Sequence, residues 1–194
     1  MDQKTEADIV ARVLNGDRQA YALLVQEYKN PVYNLAYRMT GNPEDAEDIA
    51  QEAFLSSFRQ LSRYDLKRSF FTWLYTISLN IIRNHLKKTG RRQNDSRPLR
   101  SLHDAAVSDT EKAALQDSVN SDGSRKELEE QLESCLGRLS PDLRELIVLR
   151  FYQGLSFEAI ADITGFSQSA VKMRVYRGLE KLREIMQKNV TSSG

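Results

Sequence analysis

The sequence predicts an all-α fold of two helical domains joined by a flexible linker, the C-terminal domain being a helix-turn-helix. Three observations predict it. Apolar residues recur at three- and four-residue steps through most of the chain. Residues that start and stop helices punctuate that pattern. One long polar interval, from Gly90 to about Ser124, interrupts it.

The elements follow in order. Residues 6–40 read as two helices, the first carrying Ile9, Val10 and Val13, the second Tyr21, Leu24, Val25, Tyr28, Val32, Leu35 and Ala36, with a turn at Asn15-Gly16-Asp17 between them. Thr40-Gly41-Asn42-Pro43-Glu44-Asp45 then supplies a stop, a capping Asn, a Pro at the first helical position and acids in the first turn. A third helix is therefore expected from Pro43 to Leu61, with Ala46, Ile49, Ala50, Ala53, Phe54 and Phe58 as its apolar stripe. After the irregular SRYDLKRS, a fourth helix should run from Phe70 to Lys88 and close at Thr89-Gly90, with Phe71, Leu74, Ile77 and Ile81 in the core.

The stretch 90–124 has too few apolar side chains to offset the entropy of ordering it, so it reads as a linker with a short helix around Asp109–Leu115. Periodicity returns at Glu127 and runs through Leu128, Leu132, Cys135 and Leu136 to Leu139. Three further helices are expected: Pro141–Tyr152, Ser156–Thr164 and Ser167–Lys188. The resulting domains are 1–89 and 125–194.

Composition narrows the function. The 194 residues are 40% hydrophobic and 28% charged, the composition of a soluble globular protein. Charges break residues 1–20 throughout, and no apolar run approaches bilayer length, so a cytoplasmic protein without membrane insertion of its own is expected. Cys135 is the single cysteine and sits at an apolar helix position, which reads as packing. His85 and His103 stand far apart without metal-ligand spacing, so neither metal nor cofactor is expected.

The overall charge of +1 conceals four blocks. Residues 1–62 carry 6 basic and 10 acidic side chains, residues 63–100 carry 10 and 2, residues 101–133 carry 3 and 9, and residues 134–194 carry 9 and 6. A polyanion senses the field within a Debye length, about 8–10 Å, so the two basic blocks are candidate nucleic-acid faces. Solvated surface is the competing reading of the same blocks.

Three constellations carry the functional signal. In SQSAVKMRVYRGLEKLREIM, Val171, Val175, Leu179, Leu182 and Ile185 share one side, leaving Ser169, Lys172, Met173, Tyr176 and Arg177 on the other. A recognition helix presents such a face to the major groove, where Arg and Lys reach guanine edges; a plain three-helix bundle with a basic surface is the alternative. On the fourth helix Trp73, Thr76, Asn80, Arg83 and Lys87 recur at helical steps. Aromatic, amide and cationic groups together suit unpaired bases, through stacking and phosphate contacts, although a Trp near a loop also serves as core. On the third helix Glu44, Glu47, Asp48, Gln51 and Glu52 are outward, and Asp48, Gln51 and Glu52 with Phe54 and Leu55 make a candidate protein-docking patch. No nucleophile, phosphate loop or histidine accompanies these acids, so an enzyme is not expected.

On AEDIAQEAF (46–54), FFTWLYTISLNIIRNHLKK (70–88) and the block from Leu139 to Arg183, in that order and spacing, the chain closely resembles the extracytoplasmic-function sigma factors of bacterial RNA polymerase. The resemblance implies that Asp48, Gln51, Glu52 and Leu55 dock on the polymerase core. It implies that the loop Ser62–Ser69 and the helix after it capture a flipped non-template base of the proximal promoter box. Tyr64, Phe71, Tyr75 and Asn80 would form or flank that pocket, with Trp73, Arg83 and Lys87 along the same DNA. It implies that Lys172, Met173, Tyr176, Arg177 and Ser169 read the upstream promoter box while Arg174 meets phosphate. An anti-sigma factor is an expected partner, beside polymerase core and promoter DNA.

One motif departs from the family. A Pro-x-Gly-Thr-Val turn is common before the recognition helix, and here Ser167-Gln168-Ser169-Ala170-Val171 stands there. Ser167 can still cap the helix. Met173 cannot donate to a base edge, which implies an altered upstream-box preference. Two rivals of other classes remain at this stage: a free-standing dimeric helix-turn-helix regulator, which leaves the Trp73 face and the acidic patch unused, and a nucleic-acid enzyme, which lacks a nucleophile.

Overall fold

The computed structural model describes residues 1–66, 68–90 and 131–192, and among these it contains helices and turns but no strand. Helix α1 (Gln3–Leu14) starts where the Asp2 side chain accepts from the Thr5 N–H at 2.8 Å. After a 3-10 turn at Arg18–Ala20, α2 runs Tyr21–Thr40 and ends at Gly41. Helix α3 (Pro43–Gln60) opens as its sequence dictates: the Asn42 side chain accepts from the N–H groups of Glu44 and Asp45, and Pro43 occupies the first turn, where its missing N–H costs nothing. A 3-10 turn, Leu61–Arg63, leads to α4 (Phe70–Gly90). The core of this domain lies where α2, α3 and α4 meet, around Leu24, Leu35, Met39, Ala46, Leu74 and Leu79.

The C-terminal domain begins, among the described residues, with a helix over 131–137 (α5), in which Cys135 and Leu136 are buried as the apolar pattern requires. Helix α6 is Pro141–Ile147, α7 is Phe157–Thr164 and α8 is Gln168–Ser192. Ser156 caps α7 by accepting from the Ala159 N–H, and Ser167 does the same for α8 through Ala170, so the departure from the family turn leaves the cap intact. Gly165, at φ +76°, takes the left-handed conformation that turns α7 into α8. Helix α6 lies so close on α8 that a Cβ at Gly178 would come within 3.0 Å of the Ile147 side chain.

Two expectations need correction. The predicted single helix Pro141–Tyr152 is α-helical only to Ile147; Val148–Tyr152 is a π-helical turn, closed by the Gln153 N–H on the Val148 carbonyl at 3.1 Å. The wider turn carries Tyr152 and Gln153 toward the N-terminal domain, a tertiary demand that apolar periodicity does not encode. On α4, Phe71, Ile77 and Ile81 are only half-buried, while Phe70, Leu74, Tyr75, Leu79 and Ile82 are fully buried. Apolar residues surround this helix, and the buried arc is set by packing on α2, α3 and also α7. The expected linker, beyond Gly90, and the start of the expected helix at Glu127 lie outside the described residues.

The domains meet along a polar seam. The Arg38 guanidinium of α2 pairs with Glu133 at 2.8 Å and lies 3.7 Å above the Tyr152 ring. Arg144 of α6 donates to the Met39 carbonyl at 2.9 Å and to the carbonyls of Gly137 and Leu139. Arg83 of α4 pairs with Glu145, and the Tyr75 hydroxyl donates to Gln153 at 2.8 Å. Only polar side chains whose partners are supplied across the gap are buried in this way without a large penalty.

Candidate nucleic-acid interface

Helix α3 places Asp48, Gln51, Glu52 and Leu55 at steps of three and four on one exposed stripe, backed by buried Ile49, Ala53 and Phe54. Leu55 is 48% exposed, an apolar side chain that the fold itself does not need buried. The stripe is acidic at one end and apolar at the other, the make-up of a docking surface. Below it, His85 of α4 approaches Asp45 at 3.3 Å and ties the two helices together.

The loop before α4 is built on an aromatic cluster. Tyr64, buried, has its ring 5.6 Å from Phe70 and 5.2 Å from Trp73, and its hydroxyl donates to the Arg68 carbonyl. Trp73 is half-buried, 5.6 Å from Phe70, so it packs on the loop and keeps an open edge. Glu6 of α1 anchors the arrangement: one carboxylate oxygen accepts from the Phe70 N–H at 2.9 Å and the other from the Tyr28 hydroxyl. Burial, with the charges of Glu6 and Asp65, pushes the Tyr64 phenol up to about 12, which keeps it a neutral donor.

The six candidate positions on α4 divide. Asn80 and Lys87 are exposed, and Phe71 and Trp73 half-buried. Tyr75 is fully buried, its ring 4.1 Å from Phe71, and burial raises its phenol well above the ordinary tyrosine range. Arg83 donates through Nε and Nη2 to the two oxygens of Glu145 at 2.9 and 2.6 Å and leans on Asn80 at 3.4 Å. The Glu145 hydrogen bond raises the Arg83 guanidinium further above its usual range, against the opposing effect of burial.

In the C-terminal domain α8 presents Ser169, Lys172, Met173, Tyr176 and Arg177 on one exposed face, with Met173 61% and Tyr176 51% exposed, while Val171, Val175, Leu182 and Ile185 are buried. Leu179 is half-buried beside them. Arg174 stacks 3.9 Å above the Phe166 ring, which fixes its guanidinium beside the turn at the N-terminus of α8. Large apolar and cationic groups thus stand out in water on the helix that a helix-turn-helix inserts into DNA.

Sequence reasoning missed Glu6 and the seam partners Glu145 and Gln153. Glu6 did leave a signal, since it shares the three- and four-step stripe of Ile9, Val10 and Val13, where a carboxylate needs buried donors. Among the described residues there is no group of carboxylate, His and Cys side chains suited to a metal, and no helix long and apolar enough to cross a membrane.

Comparison with known proteins identifies the family. The family models for Sigma-70 region 2 and Sigma-70 region 4 match residues 24–92 and 129–182. The RNA polymerase sigma-H factor of Pseudomonas aeruginosa is 33% identical over 193 residues, 96% of both chains. The ECF RNA polymerase sigma factor SigW of Bacillus subtilis is 34% identical, over 90% of this chain and 93% of its own. Sigma-E of Escherichia coli is also 34% identical, over 93% and 94%. Among solved structures, CnrH in complex with the cytosolic domain of CnrY shares the fold with a TM-score of 0.67 at 22% identity, covering 94% of this chain and 97% of that one. RpoE of Bartonella quintana, solved with the anti-sigma factor NepR, gives 0.63 at 22% identity, over 86% and 96%. A helix-turn-helix domain behind an acidic and aromatic helical domain is the architecture of a sigma subunit. This chain belongs to the extracytoplasmic-function family of RNA polymerase sigma factors, transcription initiation factors rather than enzymes.

Proposed function

We propose that this sigma factor divides promoter reading between its two ends, α8 taking the -35 box and the loop and helix α4 opening and holding the -10 box. The observation that carries the reading is the face of α8, where Ser169, Lys172, Met173, Tyr176 and Arg177 are exposed together over a buried apolar spine. Lys172 and Arg177 supply hydrogen-bond donors to base edges, and Met173 and Tyr176 supply apolar contact, as toward a thymine methyl. Arg174, held over Phe166, meets phosphate.

In the N-terminal domain, residues 1–89, Trp73 and Phe71 offer stacking faces and Asn80 an edge donor and acceptor, while Lys87 and Arg83 follow the strand. Tyr64 holds the loop in place from beneath, and Tyr75 lies beneath Phe71. Asp48, Gln51, Glu52 and Leu55 dock on the polymerase core, with residues 90–124 as the linker to the C-terminal domain, 125–194. The protein acts in the cytoplasm, where its polymerase is. An anti-sigma factor restrains it; RpoE, which shares the fold, was solved with such a partner.

Run-off transcription with purified bacterial core polymerase on a promoter library tests this. Specific transcripts that appear only when the chain is added are expected. Core binding without any specific transcript would overturn the promoter-reading role.

A further inference from the structure

Helix α8 carries one cation that rests on an aromatic ring while its hydrogen-bonding edge meets no acceptor among the described residues. The backbone of the turn from α7 to α8 fixes that ring. On one side of Phe166 the Gly165 N–H donates to the Ala161 carbonyl at 2.8 Å, and on the other the Val171 N–H donates to the Ser167 carbonyl at 3.0 Å. Phe166 is 38% exposed, so the fold does not bury it as core. The Arg174 guanidinium lies 3.9 Å from the ring centroid, a contact that uses the face of the planar group and leaves its N–H edge available. Other arginines of the chain are committed differently. Arg38 and Arg83 pair with Glu133 and Glu145, and Arg150, which also faces a ring, donates through Nη1 to the Leu155 carbonyl at 2.8 Å. An in-plane edge presented in this way is the one a guanidinium offers a phosphate.

We infer that Phe166 is a positioning residue for promoter binding: its ring holds Arg174 so that the N–H edge meets a backbone phosphate beside the face of α8. This rests on the assignment of α8 to the upstream box. An arginine that is free in water gives up rotamer freedom when it binds a phosphate, whereas one already stacked on a fixed ring has given it up on folding, so less is lost on binding. A phosphate contact carries no base information. The ring therefore raises affinity for every upstream sequence alike and leaves the choice of box to Lys172, Met173, Tyr176 and Arg177. Lysine at position 174 would not serve, because an ammonium has neither a plane to stack nor a fork to present.

The test uses the full chain with core polymerase and fluorescein-labelled promoter duplexes that differ in the upstream box, across a salt series. Phe166→Leu keeps apolar bulk at the turn without a ring, Phe166→Tyr keeps the ring, and each is made alone and together with Arg174→Ala, with the thermal transition checked. Arg174→Ala is expected to weaken binding about tenfold and to flatten the log–log salt dependence by about one. Phe166→Leu is expected to weaken binding about threefold, equally on every box and at unchanged slope, and to add nothing once Arg174 is gone. Phe166→Tyr should bind as wild type. Phe166→Leu at wild-type affinity, or a loss as large without Arg174 as with it, would overturn the role of the ring. If Phe166→Leu lowers the thermal transition, Phe166→Ala replaces it with the same expectations. Arg174→Ala and Arg177→Ala both binding as wild type would overturn the assignment of α8 to DNA and the positioning role with it, whereas Arg174→Ala weakening binding with no effect of Phe166→Leu overturns the positioning role alone.

Discussion

The two helices proposed to face DNA are presented in opposite ways. Helix α8 holds its cations and large apolar groups out in water, with Met173 and Tyr176 more than half exposed. Helix α4 keeps Tyr75 fully buried and Arg83 paired across the seam. Major-groove reading needs only a rigid helix with a free face, which buried Val171 and Val175 supply. Base capture needs aromatic side chains, and in water those pack on one another, as Tyr64, Phe70 and Trp73 do. On the proposed assignment, the difference teaches that the reading surface of the C-terminal domain is preformed, while that of the N-terminal domain is built into, and shares residues with, its core.

If so, alkali should break the N-terminal domain first, and this is the largest effect expected. Tyr21 and Tyr64 are each pushed up to about 12 by burial, and Tyr28 and Tyr75 are raised as well. A folded-state pKa above the unfolded value means that the folded protein binds more protons, so stability is fully present below about pH 10 and falls as pH rises from there through about 12. Far-ultraviolet circular dichroism against pH should show loss of part of the helix signal above pH 10, with near-ultraviolet tyrosinate absorbance rising in step. Simultaneous loss of all helix signal would remove the contrast.

Glu6→Ala sharpens the same contrast. It strips the acceptor from the Phe70 N–H and the Tyr28 hydroxyl, both buried. Two orphaned donors cost roughly 2–6 kcal/mol. Thermal or denaturant unfolding of the variant should show the N-terminal domain weakened and promoter opening lost, with α8 untouched.

On the other side, Arg177→Ala should cost about 1–3 kcal/mol on a cognate upstream box and relax the choice of base there, without altering thermal stability. Trp73→Ala should slow open-complex formation, read by permanganate reactivity of the melted strand, more than it weakens the closed complex; a collapsed thermal transition would make Trp73 a core residue. The smallest effect is expected from Glu52→Lys, an exposed charge reversal on α3 that should weaken core binding by about 1 kcal/mol while the fold stands. Competition for core at wild-type strength would take that stripe off the docking surface.

Much of this was legible because it is local. Gly41-Asn42-Pro43 announces the start of α3, and the hydroxyls of Ser156 and Ser167 do the same for α7 and α8. The exposed stripes on α3 and α8 follow from three- and four-residue steps, and they appear where that spacing puts them. The α4 face was legible only in part. Its partners lie 62 and 78 positions away in the chain, at Glu145 and Gln153, and no local pattern encodes that pairing. A helix apolar on most sides does not announce which arc is buried, and so Tyr75 and Ile82 displaced Ile77 and Ile81 from the core. The π-helical turn at Val148–Tyr152 belongs to the same class, a local irregularity whose Tyr152 ring meets Arg38 of the other domain.

The division of labour between the two helices is tested most directly by transcription with core polymerase on libraries in which the upstream and proximal boxes are randomised separately, comparing wild type, Arg177→Ala and Trp73→Ala. Arg177→Ala should change the selected upstream sequences alone, and Trp73→Ala should reduce output through the proximal box alone. Arg177→Ala altering the proximal preference, or Trp73→Ala altering the upstream one, would contradict it.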